Sequence, residues 1–400
     1  MIPAIVERRA RWVLDSIGAT ELGFGDDLPY DAAAWEQIDR GERPVGDDLA
    51  DGFFHLARVE ERNGARDEHG RFRAEWSCLD PLDPPLERLR QRLGVTTRDD
   101  RPRFTIALTH DVDTPWRWTR IGLRGAAARL KQNVRHAQLG PAVRETTGLA
   151  TVPLHRLRGT DPNWRFEQIL AEERRRGATG SSFYVIASHH DPHDGAAADE
   201  YGRLRPRLVE TLLEAGGEVG LHGSYTAADD AVRLAAEKHK LEALAGPITG
   251  HRYHYLRVDP HRNFAPLADL RLRYDTTLGF PDALGFRAGI ARPFRPWNFE
   301  REEPFDLIEV PLAAMDATLA EERYLGLAAK RAEPQLMQLL DWAAEFGGAF
   351  AVLWHPDRFD PVTSGGWDRL YSRLLDGVRE RGGSCVPAAE LVSSHSTWSK

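Results

Sequence analysis

The 400-residue chain has only two cysteines, Cys78 and Cys385. They lie far apart and in no metal-type spacing, which argues against a disulfide framework and fits a reducing compartment. No stretch approaches the roughly 20 apolar residues that a membrane span needs. The opening run Met1-Ile2-Pro3-Ala4-Ile5-Val6-Glu7-Arg8-Arg9 lacks the apolar core of a secretory leader. A cytoplasmic protein without an integral membrane segment is therefore expected. A global basic field is missing too. The net charge is -8 with both signs interspersed, so no nucleic-acid partner and no single-sign tail are expected.

What is present suffices for a sizeable core. With 42% hydrophobic residues, the length suits one large α/β domain and a smaller one. Residues 1–100 are rich in turn signals, as in Asp26-Asp27-Leu28-Pro29, the stretch 47–51 and Asp80-Pro81-Leu82-Asp83-Pro84-Pro85. Helical periodicity shows near 5–17, 52–62 and 86–93. The reading is a small α+β accessory module, joined through a linker at 96–102 to a second unit spanning 101–400.

From Phe104 onward short β-rich runs alternate with amphipathic helices. Strands are expected at 104–108, 182–187, 218–221, 248–251, 274–277, 307–311 and 350–354. Helices are expected at 165–176, 205–215, 227–244, 334–346 and 367–379. Gly177 and Gly216-Gly217 sit where helix C-terminal glycines belong. This alternation predicts a parallel sheet with crossover helices, and about seven strands suit an irregular (β/α) barrel. Chemistry in such barrels gathers at the C-terminal strand ends. The reactive side chains fall there: Asp111 and Asp113, then His222, then Arg252 and His254, then Asp275, then His355. A long insertion, 122–159, separates the first strand from its helix. It carries Arg124, Arg129, Lys131, Arg135, Arg144, Arg156 and Arg158 against Glu145 alone. Such a segment suits an anionic glycan or nucleotide-linked sugar, an acidic membrane surface, or simply a solvated flap.

The stretch Ile106-Ala107-Leu108-Thr109-His110-Asp111-Val112-Asp113-Thr114-Pro115 reads as a strand running into two carboxylates on one face, with His110 and Val112 on the other. Like charges so close repel unless a cation or proton intervenes. The pattern suits a divalent metal with a catalytic base, and the spacing alone also admits a solvated acidic turn. A metal hydrolase needs about three protein ligands, an open position, a base and an acid. Asp113 and His222 are read as ligands, and Gly223 lets the backbone turn closely beside His222. Asp111 is read as the base, oriented by Arg252 or Arg257. His355 is read as the acid that protonates the leaving group.

Thr109-His110-Asp111-Val112-Asp113 resembles the first motif of the polysaccharide deacetylases, carbohydrate esterases with the chitooligosaccharide-deacetylase homology domain. Leu353-Trp354-His355 resembles their last motif, and Arg252 their third-motif arginine. The resemblance implies a distorted seven-stranded (β/α) barrel and a divalent metal, often zinc. It also implies removal of an acyl group, usually N-acetyl, from a carbohydrate substrate. It gives the base role to Asp111 and a ligand role to Asp113. The second motif departs from the pattern: His222 matches its first histidine, but Thr226 stands at the second. His254 is the first choice for the missing ligand, with Ser224 or water behind it. A narrower resemblance, to bacterial members with an N-terminal module, rests on Gly220-Leu221-His222-Gly223-Ser224-Tyr225, on Arg252-Tyr253-His254-Tyr255-Leu256-Arg257, on the stretch from Asp275 to Gly289 and on Asp67-Glu68-His69-Gly70-Arg71-Phe72. It implies substrate contacts at Ser224, Tyr225, Arg257, Asp275, Arg287 and Trp354. Asp316 and Arg287 either line the pocket or form structural ion pairs. Two alternatives stand beside the deacetylase reading: a glycan-binding or assembly protein that lost turnover, and a hydrolase of a non-sugar C–N bond.

Overall fold

A computed structural model describes residues 2–25, 28–95, 103–189, 191–195 and 201–395. The linker expected at 96–102 lies outside them. Eleven strands occur among these residues: β1 (Thr105–Val112), β2 (Ser182–Ile186), β3 (Glu218–Gly223), β4 (Gly250–Tyr253), β5 (Tyr274–Asp275), β6 (Trp297–Asn298), β7 (Glu303–Pro304), β8 (Ile308–Glu309), β9 (Leu312–Met315), β10 (Ala349–Leu353) and β11 (Ser384–Val386).

Nine of them form one sheet in the order β8-β5-β4-β3-β2-β1-β10-β9, with β11 flanking β1. Every pairing in it is parallel. This is the expected curled parallel sheet of a (β/α) barrel, but the expected seven strands become eight along its path. The run expected at 307–311 is the source of the difference. It forms β8 against β5, and two residues later β9 against β10, so one passage of chain reaches both edges of the sheet. Between β8 and β9, Val310 N–H donates to the Asp275 carbonyl, and at the start of β9 Leu312 N–H donates to that of Leu278. β6 and β7 pair antiparallel outside the sheet.

The strands read as near-continuous apolar runs because helices cover them. β2 and β10 are buried throughout, as parallel sheets require. Side-chain size sets which neighbours fit. A Cβ on Gly250 would collide with the Tyr274 ring and hydroxyl on the next strand, so glycine is needed there.

The described residues among 2–95 are helical rather than α+β. They hold helices Ala4–Ser16, Ala32–Asp39, Asp48–Leu56 and Pro85–Arg92, and their strand-like pairing is a single bridge between Phe24 and Leu28. Their apolar runs have helical spacing and are cut by Asp and Pro turns, which cap helices: Asp31 and Asp47 each accept backbone N–H bonds at a helix start. This region shares one core with the barrel. Trp12 and Phe53 pack on Trp297 at ring distances of 5.1 and 5.6 Å, and Glu61 makes a buried ion pair with Arg287 at 2.6 Å.

Candidate active site

The C-terminal strand ends converge on one hollow. β1 carries Asp111 and, one residue past its end, Asp113. β3 carries His222, and β4 carries Arg252 with His254 just beyond. Asp316 follows β9, and His355 lies two residues past β10. The loop after β2 adds Asp194. Register aligns the set, with His222 opposite Arg252 and Asp111 opposite Tyr184. The cavity measures about 720 Å³ with its open mouth, and Asp111, Asp113, His193, His254, Tyr255 and His355 are among its walls.

Asp113, His222 and His254 each offer one donor atom, all within 4.8 Å of one another. The His222 Nε2 lies 3.3 Å from Asp113 Oδ1, and the His254 Nε2 lies 3.6 Å from Oδ2. Both rings are pinned from behind. Nδ1 of His222 sits 2.9 Å from the Arg252 carbonyl, which can only accept, so Nδ1 donates and Nε2 is the nitrogen that faces Asp111 and Asp113. Nδ1 of His254 donates to Asp194 Oδ1 at 2.9 Å, which leaves Nε2 facing Asp113. Backing of this kind is what metal-bound histidines have. The donor set fits a divalent cation on a further ground. His222 Nε2 and Asp113 Oδ1 are buried and, although 3.3 Å apart, make no well-aligned hydrogen bond to each other or to any other group, an arrangement costing about 1–3 kcal/mol per group when nothing satisfies it. A second trio of donors, His55, Glu60 and Cys78, lies in the helical N-terminal region. There Glu60 is already engaged by Arg58, Ser77 and the Cys78 N–H.

Charge is strongly coupled at the site. Burial alone would raise the Asp113 carboxyl, but His254, His222 and His355 around it hold it well below the usual range. Burial works against the proton on His254, yet Asp113 and Asp194 push that ring up to about 9. His355 is likewise disfavoured by burial and pushed up to about 10 by Asp316, Asp113 and Asp111. Its Nδ1 lies 2.6 Å from Asp316 Oδ1, and its own backbone N–H donates to Oδ2. Asp111 Oδ1 accepts from Arg252 Nη1 at 3.2 Å, while its Oδ2 faces His222 Nε2 at 3.5 Å. Arg252 is fully buried, lies over the Tyr184 ring at 4.8 Å and donates from Nε to Thr276.

The structure thus brings together Asp111, Asp113, His222, Arg252, His254 and His355. Of the two arginines open as partners of Asp111, it places Arg252 there. Arg257 instead donates to the carbonyls of His69 and Tyr225 and to Asp229. The expected substrate contacts need correction. Ser224 is buried with its hydroxyl on Glu237 at 2.5 Å. Asp275 is buried behind the sheet on His251 at 2.7 Å. Arg287 is committed to Glu61, and Trp354 packs in the core beside Trp367 and Tyr371. All four sit on strands or loops of the right end, but their side chains turn into the frame. Tyr225 stands beside the cavity, stacked 4.1 Å from His193 and bonded to His69 Nδ1 at 3.0 Å. Thr226 is not one of these donors, whereas His254, just past the next strand, lies within 4.8 Å of the other two donor atoms.

Three features escaped sequence reasoning. Asp194 was one, although Asp191-Pro192-His193-Asp194-Gly195 follows a strand and the strand-end rule would have found it. The aromatic and cationic walls Arg71, Tyr255, Arg323 and Tyr324 were another, because they come from three separate loops. The third is backbone conformation: Tyr255 and Leu256 take φ of 61° and 54° directly after His254. Two consecutive left-handed non-glycine residues cost about 1–3 kcal/mol each and persist only where surroundings hold them. Arg71 supplies part of that hold, donating from Nη1 to the Tyr255 carbonyl at 3.1 Å while Asp67 grips its other nitrogens.

No protein-family model and no curated protein matches the chain. Among solved structures it is similar to a protein assigned as a polysaccharide deacetylase from Mycobacterium smegmatis, at 16% identity and TM-score 0.47, over 76% of this chain and 93% of that one. A protein assigned as a polysaccharide deacetylase from Pseudomonas aeruginosa PAO1 gives 12% identity and 0.48, over 73% and 90%. The polysaccharide deacetylase Bc1974 from Bacillus cereus gives 11% and 0.32, over 71% and 90%. Likeness this distant carries no argument about chemistry, which has to come from the side chains.

Proposed function

We propose that the chain is a divalent-metal hydrolase that removes an acyl group, N-acetyl above all, from an amino sugar or a sugar polymer. The observation that carries this reading is the trio Asp113, His222 and His254, of which Asp113 and His254 line a cavity with a buttressed carboxylate and a buttressed imidazole beside it. These three residues would hold the cation, which when bound, as zinc for example, would supply Lewis acidity toward an acyl carbonyl.

The chain's own groups do the rest. Arg252 fixes Oδ1 of Asp111, leaving Oδ2 on the side of the donor trio, where it accepts the proton of an attacking water. Asp316 ties down Nδ1 of His355, so a proton on Nε2 is held where a departing amine would collect it. Tyr255 and Tyr324 give the cavity flat apolar walls suited to a sugar ring. The reading of a fold that lost turnover drew on Thr226, and His254 supplies the donor that Thr226 cannot.

The test is acetate release from a panel of N-acetyl sugars and oligosaccharides by metal-loaded protein, with Asp111→Asn as control. Release that stops in the variant supports the reading. Stoichiometric metal with no release from any sugar would favour a binding protein, and release from non-sugar amides alone would move the target.

A further inference from the structure

The basic insertion after β1 folds as two antiparallel helices, Arg120–Arg135 and Leu139–Arg158. They pack mainly on each other. Their buried contacts with the body form a satellite cluster of Trp118, Ala126 and Val152, separate from the main cores. An ordinary surface helix turns its apolar stripe inward, and the second helix does the reverse. Leu139, Val143, Thr147, Ala150, Leu154 and Leu157 recur every three or four residues and therefore share one face, and every one of them is exposed. Leu139 and Leu157 stand 78% and 86% open. Thr147 does not interrupt the stripe, because its hydroxyl donates back to the Val143 carbonyl at 2.8 Å and leaves its methyl to solvent. Among the described residues twelve large hydrophobic side chains are exposed, and six of them belong to this hairpin, Ile121 and Val134 being the other two.

Charge runs the same way. Residues 120–158 hold seven arginines and one lysine against Glu145 alone, in a chain whose net charge is -8. Glu145 is itself spent on Arg117 and Arg129 at 3.2 and 2.7 Å. Arg124, Arg135, Arg144, Arg156 and Arg158 are exposed around the apolar stripe. Aliphatic residues flanked by arginines match the boundary between acyl chains and acidic headgroups. A polyanion would use the cations and leave the leucines in water. A second copy would bring two strongly basic hairpins face to face.

We propose that the hairpin Arg120–Arg158 is a docking surface for an anionic lipid membrane. It leaves the barrel seven residues after Asp113, at the end of the sheet where the cavity opens, so docking brings that end toward the headgroups. The inference does not rest on the hydrolase reading.

Flotation of the full chain with vesicles tests it, using phosphatidylcholine alone and phosphatidylcholine mixed with phosphatidylglycerol. The expected result is at least tenfold more protein on the anionic vesicles, falling as salt rises. Leu139→Glu/Val143→Glu/Leu157→Glu should abolish that binding. Arg144→Gln/Arg156→Gln should weaken it about fivefold per cation removed. All five positions are exposed, so folding is kept and is checked by circular dichroism. Equal binding to neutral vesicles, or binding unaffected by the glutamates, would overturn the proposal. So would absence of vesicle binding together with a dimer in light scattering that the glutamates dissolve, which would assign the face to a second copy. Retention on an anionic polymer without vesicle binding would make it a plain polyanion surface and overturn it equally.

Discussion

Arg252 reaches across from β4 and places its Nη1 3.2 Å from Oδ1 of Asp111 on β1, inside a site where neither side chain meets bulk solvent freely. Two strands, β2 and β3, lie between theirs in the sheet. The contact therefore spans the hollow and aims the carboxylate. Arg252→Gln should lower kcat about 100-fold or more while leaving metal content unchanged, since general-base catalysis supplies about 10²–10⁴-fold. Steady-state kinetics beside elemental analysis checks this, and loss of metal in the variant would mean that Arg252 shapes the ligands instead.

His222→Ala should strip the metal with little loss of fold, because the ring is held by one hydrogen bond at the sheet's open end. Asp194→Asn tests the layer behind. It leaves the His254 ring in place but weakens the partner of Nδ1, and should reduce metal affinity about 10–100-fold. Titration with a competing chelator reads both variants, and full metal retention in His222→Ala would remove His222 from the site.

His355→Gln should slow the release of poor leaving groups far more than good ones. An activated aryl ester such as a nitrophenyl acetate needs no proton on departure, whereas an amino sugar does. A uniform loss across both substrate classes would assign His355 to binding. Asp316→Asn should give a weaker version of the same selective loss, through the imidazole it orients.

Glu61 predicts an acid limb of stability. Burial opposes its charge, but Arg287 and Arg58 bring the carboxyl down from 4.5 to about 2. A group depressed on folding stabilises above its unfolded value and loses that contribution as pH falls toward the folded one. The contribution is thus whole above about pH 4.5 and disappears between there and about pH 2. Glu61→Gln should cost about 3 kcal/mol at pH 7, in the range for breaking a buried ion pair. Urea unfolding at pH 7 and pH 3 reads the difference, which should shrink at the lower pH.

The barrel was legible because its signals are local. Period-two patterning placed Asp111 and Asp113 on one face and His110 on the other, and the structure seats His110 on the far side against Glu173 at 2.8 Å. The strand-end rule found His222, Arg252, His254 and His355 for the same reason. It failed for Trp354 and Asp275, which obey the rule in position but turn inward, a matter of neighbours' volumes and partners that spacing does not encode. The N-terminal region was misread because capped helices and turn-rich α+β segments share the same Asp and Pro punctuation. The cavity walls were invisible for another reason: Arg71, Tyr255 and Arg323 meet only once the chain has closed on itself.

The strained turn at Tyr255 and Leu256 has a consequence for how this protein fails. Arg71 grips it from 184 residues upstream, and the histidine it follows is one of three donors. Damage anywhere in the Asp67–Arg71 loop would therefore surface as a defect in metal occupancy rather than as unfolding. On the proposed hydrolase reading, catalysis would report whether the Asp67–Arg71 loop has docked, and a screen for inactive variants would recover lesions far from every reacting atom.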